Sequence, residues 1–202
     1  IALGLSHEDQ PFDGLTTTFL EHFLSVAEAM ETFGTDDVSL WDEADGFFYD
    51  VLVGPDGRSE PVRLRSLVGL LPLIAVAHAP DWITRELPDF VARMRWLQRR
   101  RPDLTDALVT THAEGQVVTS LAPLTADRAD ALLRRLFDER EFLGPHGIRS
   151  LSAAYRGGVT LDVAGVSMSV AYDPGESTTR LFGGNSNWRG PVWFPINVLL
   201  ID

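Results

Sequence analysis

The sequence predicts a mainly α protein, with helical hairpins joined by long decorated loops, the arrangement of an α-hairpin toroid whose rim carries a site. Two observations lead there. Apolar residues recur at helical spacing in several separate stretches. Between them lie connections rich in Gly, Pro, aromatic and charged residues, longer than simple turns require. Short β-hairpins read as insertions. With 45% apolar and 23% charged residues, the chain has the composition of a packed globular protein.

The first helix falls between Leu15 and Phe33, with apolar residues at 19, 20, 23, 24, 26, 27 and 30 and Gly34 as its stop. Val51 and Val53 lead into the turn signal GPDG at 54–57, so 47–64 reads as a β-hairpin or a long ordered loop. A helix from about Ser66 to Ala77 follows, kinked or interrupted by Pro72. Residues 87–100 form an amphipathic helix with Pro88 in its first turn, and 126–138 form another with Thr125 as N-cap. The intervening 101–123 reads as mixed and loop-rich. VTLDVAG and VSMSVAY flank Gly165 as a candidate hairpin. A loop from Asp173 to Pro191 then leads into a last helix starting near Pro191. Both ends lie within apolar patterns that no cap closes, so the expectation is one domain over 1–202, cut at both ends from a longer protein.

Charge and composition narrow the function. A net charge of −12 argues against nucleic acid and anionic membrane as partners. The absence of Cys excludes disulfides, thiolate catalysis and Cys-ligated zinc. Every basic residue is Arg, which removes Schiff-base and P-loop chemistry. No apolar run reaches the roughly 18 residues of a membrane span, and no signal peptide is visible at Ile1, so a cytoplasmic protein is expected. The five His, at 7, 22, 78, 112 and 146, have no metal-ligand spacing. No cofactor is expected.

Three stretches concentrate chemistry. WDEADGFFYD sets Asp42, Glu43, Asp45 and Asp50 among Trp41, Phe47, Phe48 and Tyr49. Counting from Asp42 puts Ala44 where a calcium loop needs its second ligand, so an EF-hand fails. Two readings stand: a solvated turn at Asp45-Gly46, or a carboxylate-and-aromatic wall for a sugar. Arg149 in GPHGIRSLS is flanked by Ile148 and Leu151 and so is held inward, where it needs a carboxylate or several carbonyls; Arg65 in RLRSLVG poses the same question. GGNSNWRGPVWFP, from Gly183 to Pro195, combines Trp188, Trp193, Arg189, Asn185 and Asn187 on a backbone set by Gly and Pro. Rigid aromatics, a planar five-donor guanidinium and amides suit a pocket for a polyhydroxylated ligand. Trp193 suits a core plug equally well.

These segments resemble glycoside hydrolase family 63 and its bacterial mannosylglycerate-type relatives. NWRGPVWFPINVLL, GIRSLS, WDEADGFFYD and RLRSLVGLLPL match segments of that family in the family's order. Val198 replaces a usual aromatic, and Val159 to Tyr172 is shortened relative to the pattern. The resemblance implies an (α/α)6 toroid and an inverting glycosidase acting on an α-glucoside or α-mannoside. It implies substrate contacts at Asn187, Trp188, Arg189 and Trp193, then Arg149, Asp45, Asp50 and Arg65, whereas Asn197 is a candidate for bonding loop backbone. The catalytic acid and base are implied in parts of the polypeptide outside these residues. The expected partners are a carbohydrate substrate and the remainder of the same polypeptide. A non-catalytic carbohydrate-binding or scaffold module is the alternative.

Overall fold

The computed structural model describes residues 13–33, 38–79, 82–100, 108–113, 116–163, 165–175 and 191–201. Helices α1 (Asp13–Glu31), α3 (Pro88–Arg100), α4 (Ala126–Leu136) and α5 (Phe194–Ile201) stand where the sequence predicts helix, and a short helix not expected there, α2 (Ile83–Glu86), precedes α3. The strands overturn the expected architecture. Eleven strands lie among the described residues, paired into four two-stranded antiparallel sheets and one three-stranded sheet. A toroid of helical hairpins requires each helix to be followed by an antiparallel helix. Here α1, α3 and α4 are each followed by β-structure, and the expectation of a mainly α (α/α)6 toroid is corrected accordingly.

The physical reason lies in the connections. β1 (Trp41–Asp42) and β2 (Phe47–Phe48) pair across a turn closed by Gly46 at φ 58°. β3 (Asp50–Val53) and β4 (Ser59–Val62) pair across GPDG, with Gly57 at φ 80°. Such backbone angles cost Gly little and other residues more, so each turn reverses the chain as a hairpin. Two further strands occupy the stretch expected as loop. β6 (Leu108–Ala113) and β7 (Gln116–Leu121) pair antiparallel, and β5 (Ala77–Ala79) adds to β7. Their Val and Thr runs, LVTT and VVTS, are the β-branched composition strands favour. β8 (Leu143–Gly144) pairs β9 (Gly147–Ile148), again within predicted loop. β10 (Val159–Val163) and β11 (Val166–Val170) form the hairpin expected around Gly165. The helix expected from Ser66 to Ala77 is a 3-10 helix over Leu67–Ile74, which contains Pro72, followed by β5.

The chain divides into two units, one from 1–30 and 75–125, the other from 31–74 and 126–202. In the first, Leu20, Leu24 and Ala27 of α1 form a stripe at i, i+4 and i+7 that packs with Ile83, Leu87 and Phe90. Phe19 and Val26, which share the apolar spacing, are exposed. In the second, Leu64 packs with Leu161, Val163 and Val170 of the β10–β11 hairpin. Phe47 is fully buried and stacks on Phe142, ring centroids 5.8 Å apart. α4 buries Leu132 and Leu136, one turn apart. Among the described residues no helix is long and apolar enough to cross a membrane.

Candidate functional site: a cluster of two arginines and two carboxylates

The β1–β2 turn positions Asp45. The Asp42 carboxylate accepts the Asp45 amide at 2.8 Å, and the Asp42 carbonyl accepts the Gly46 amide at 2.8 Å. The side chain of Asp45 then meets three partners. The Tyr49 hydroxyl donates to its Oδ2, Arg65 Nη1 stands 3.6 Å from the same oxygen, and Arg135 Nη2 stands 3.7 Å from Oδ1. Arg135 also donates to the Asp45 carbonyl. The turn is present as read, but Trp41, Phe47, Phe48 and Tyr49 are all buried, so the aromatics of this stretch form core and not an exposed wall.

Glu141 is the second carboxylate. Arg65 Nε donates to its Oε2 at 3.2 Å, Arg135 Nη1 to its Oε1 at 3.1 Å, and the fully buried Ser152 hydroxyl to Oε2. The Arg65 backbone is equally tied: its amide donates to the Tyr155 hydroxyl at 3.0 Å, and its carbonyl accepts the Ser152 amide at 3.0 Å. The two guanidinium groups thus bridge the two carboxylates. Their exposures differ: the side chain of Asp45 is 37% exposed and that of Glu141 13%. Asp45 is half-buried, and Glu141 is the more deeply buried anchor.

Electrostatics follow the contacts. Burial, then the hydrogen bond to Asp45, holds the Tyr49 phenol well above its ordinary range, with Arg65 pulling the other way. For Arg65, burial opposes the charge, but Tyr155, Glu141, Tyr49 and Asp45 outweigh it and raise the guanidinium above its usual value.

The backbone brings the four sequence motifs together in one unit. Ser66 bridges Leu151, and the Leu67 amide donates to the Ser150 carbonyl at 2.8 Å. Arg149 bridges Val192, and the Ser150 amide donates to the Pro191 carbonyl at 3.1 Å. Gly69 lies so close to β2 that a Cβ there would sit 2.3 Å from Phe47 Cε1 and 2.4 Å from the Phe48 carbonyl oxygen. Asn197 bonds loop backbone: its Oδ1 accepts the Ile148 amide at 2.6 Å, and its Nδ2 donates to the carbonyls of Ile148 at 3.2 Å and Trp193 at 3.0 Å. Gly147, at φ 128°, makes room for it, since a Cβ there would meet Asn197 Oδ1 at 2.7 Å.

The residues expected to touch substrate separate on this framework. Asp45 and Arg65 meet in the cluster. Arg149 is held inward, its donors directed at the carbonyls of Glu139 at 2.9 Å and Glu141 at 3.1 Å and at the Tyr172 hydroxyl at 3.2 Å, so it braces the loop. Asp50 is exposed on β3, opposite Val62. Trp193 is half-buried ahead of α5. Asn187, Trp188 and Arg189 lie outside the described residues. Glu141 and Arg135 escaped sequence reasoning because they sit in the charge-rich run from Arg134 to Glu141, which resembles a solvated helix end. The only signal was the closeness of Glu141 to GPHGIRSLS. A cavity of about 340 Å³ opens among Leu52, Gly54, Pro55, Asp56, Arg58 and Glu60 of the β3–β4 hairpin and shares no residue with the cluster.

No protein-family model matches the chain, and no solved structure matches it. The chain is similar to the uncharacterized protein YMR196W of Saccharomyces cerevisiae, with 37% identity over 216 aligned residues that take in the whole of this chain. It spans about a fifth of that relative's length, 20%.

Proposed function

We propose that this chain supplies the sugar-binding part of a glycoside hydrolase that cleaves an α-glucoside or α-mannoside with inversion, in the manner of glycoside hydrolase family 63. One observation carries the reading. Of the four motifs that resemble that family, spread between Trp41 and Leu200, three are joined by backbone bridges and bonds, and the fourth meets them through the half-buried Asp45 and Arg65. The reading rests on these motifs and their contacts, not on a helical toroid.

In this reading Asp45 accepts hydrogen bonds from sugar hydroxyls, oriented by Tyr49, Arg65 and Arg135. Asn187, Trp188, Arg189 and Trp193 complete the binding surface, the indoles against the C–H face of the ring. The acid and base belong to the remainder of the same polypeptide and stand ~6.5–9.5 Å apart to admit the attacking water. The substrate is a neutral carbohydrate, the compartment is the cytoplasm, and no cofactor takes part.

The test is hydrolysis of 4-nitrophenyl α-glucoside and α-mannoside by the longest natural product containing this chain, with the anomer formed first read by proton NMR. Turnover with inversion is expected, and Asp45→Asn should lower kcat/KM about 10- to 100-fold, the loss of a hydrogen bond to a charged group. Sugar binding without turnover would replace the enzyme by a carbohydrate-binding module. Neither binding nor turnover would sink the proposal.

A further inference from the structure

The inward face of α3 is set by Phe90, Val91, Met94 and Leu97, which pack with the α1 stripe of Leu20 and Leu24. Helical geometry then turns Arg95, Trp96, Arg99 and Arg100 outward, and all four are exposed. α3 carries four Arg against a single Asp in a chain whose net charge is −12. Arg93 is engaged by Glu21 and lies over the Trp96 ring at 4.2 Å, with Arg100 5.8 Å from the same ring. Among the described residues no ion pair engages Arg95 or Arg99.

Arg99 and Arg100 complement the C-terminal end of the helix dipole. That account covers neither Arg95, further from the end, nor an indole left 40% exposed between guanidinium groups. Trp and Arg are the residues most enriched where protein interfaces concentrate their binding energy.

We propose that the outward face of α3 is a docking surface for an acidic polypeptide segment. Arg95, Arg99 and Arg100 present planar forks that pair with Asp or Glu carboxylates, and Trp96 receives an apolar side chain beside them. Charge selects a short acidic segment over a polyanion. A nucleic acid or anionic membrane contacts a wider area of a chain whose net charge is −12, whereas a short segment contacts only the Arg-rich face. The proposal lies in the first unit and does not depend on the glycosidase reading.

The experiment is fluorescence anisotropy of a fluorescein-labelled Glu- and Leu-rich peptide titrated with the longest natural product containing this chain. A single-stranded oligonucleotide of equal charge runs in parallel. The peptide should bind, more weakly as salt rises, and more tightly than the oligonucleotide. The double exchange Arg95→Glu with Arg99→Glu should lower affinity at least ~10-fold, and Trp96→Ala by a similar factor. Thermal melts should stay cooperative and shift only slightly, the shift coming from Arg99→Glu at the helix C-terminus. If the Glu exchanges unfold the chain, Arg95→Gln with Arg99→Gln reads the same loss. No peptide binding by the wild-type chain, undiminished binding by a folded double variant, or tighter binding of the oligonucleotide would overturn the proposal.

Discussion

Arg65 Nε donates to Glu141 Oε2 at 3.2 Å, across 76 positions of chain, and this single contact joins the segment after β4 to the loop after α4. Glu141 also accepts from Arg135 and Ser152. Removing it orphans three donors at once. Glu141→Ala is expected to cost ~2–4 kcal/mol, as for a pair broken by deleting one partner. Glu141→Gln, which keeps an acceptor, should cost less. Urea unfolding of both variants is the check; an Ala variant within about 0.5 kcal/mol of wild type would mean the contact does not anchor the cluster.

The approach of the 3-10 helix to β2 makes Gly69 irreplaceable. Its missing Cβ would collide with a buried ring and with backbone, neither of which can swing aside. Gly69→Ala should destabilise by ~1–3 kcal/mol or more. Gly157, with nothing within 4 Å of its would-be Cβ, is the control, and Gly157→Ala should be close to neutral. Equal melting temperatures for the two variants would contradict the packing described.

The Tyr49 phenol gives the fold an alkaline limit. Its proton is held more tightly in the folded chain than in the unfolded one, where the ordinary value is 10.0. The stabilisation is therefore complete below about pH 10 and is lost as pH rises above that value, because the unfolded chain gives up the proton first. Melting temperature should fall more steeply above pH 10 for wild type than for Tyr49→Phe. Parallel curves for the two proteins would remove Tyr49 as the cause.

The α1 stripe makes a separate prediction about the first unit. Leu24 is buried and Phe19 exposed, although both fit the helical spacing. Leu24→Ala should cost ~2–5 kcal/mol, as core Leu truncations do. Phe19→Ala should change stability by no more than about 0.5 kcal/mol. Equal losses in chemical denaturation would show that the helix is rotated from the orientation found.

Local chemistry was legible where it is decided locally. The helices over α1, α3, α4 and α5, the turn at Asp45-Gly46 and the β10–β11 hairpin follow from apolar period, capping and Gly placement. Strands β6 and β7 were missed because mixed polar and β-branched residues pair only when a partner strand arrives, and periodicity within one stretch does not reveal the partner. The helical toroid failed for a related reason: composition marks a helix but not what its flank packs against.

The sequence by itself marked WDEADGFFYD, RLRSLVG and GIRSLS, segments whose residues the structure brings together. The inward orientation of Arg149 also followed from its apolar neighbours. Only the tertiary structure decided that Arg65 meets Asp45 and Glu141, that Arg135 joins them, and that Asn197 clasps Ile148. Those contacts join residues far apart in the chain, where sequence spacing carries no distance information. The desolvation of an ion pair and the room beside a glycine exist only once the backbone has closed around them.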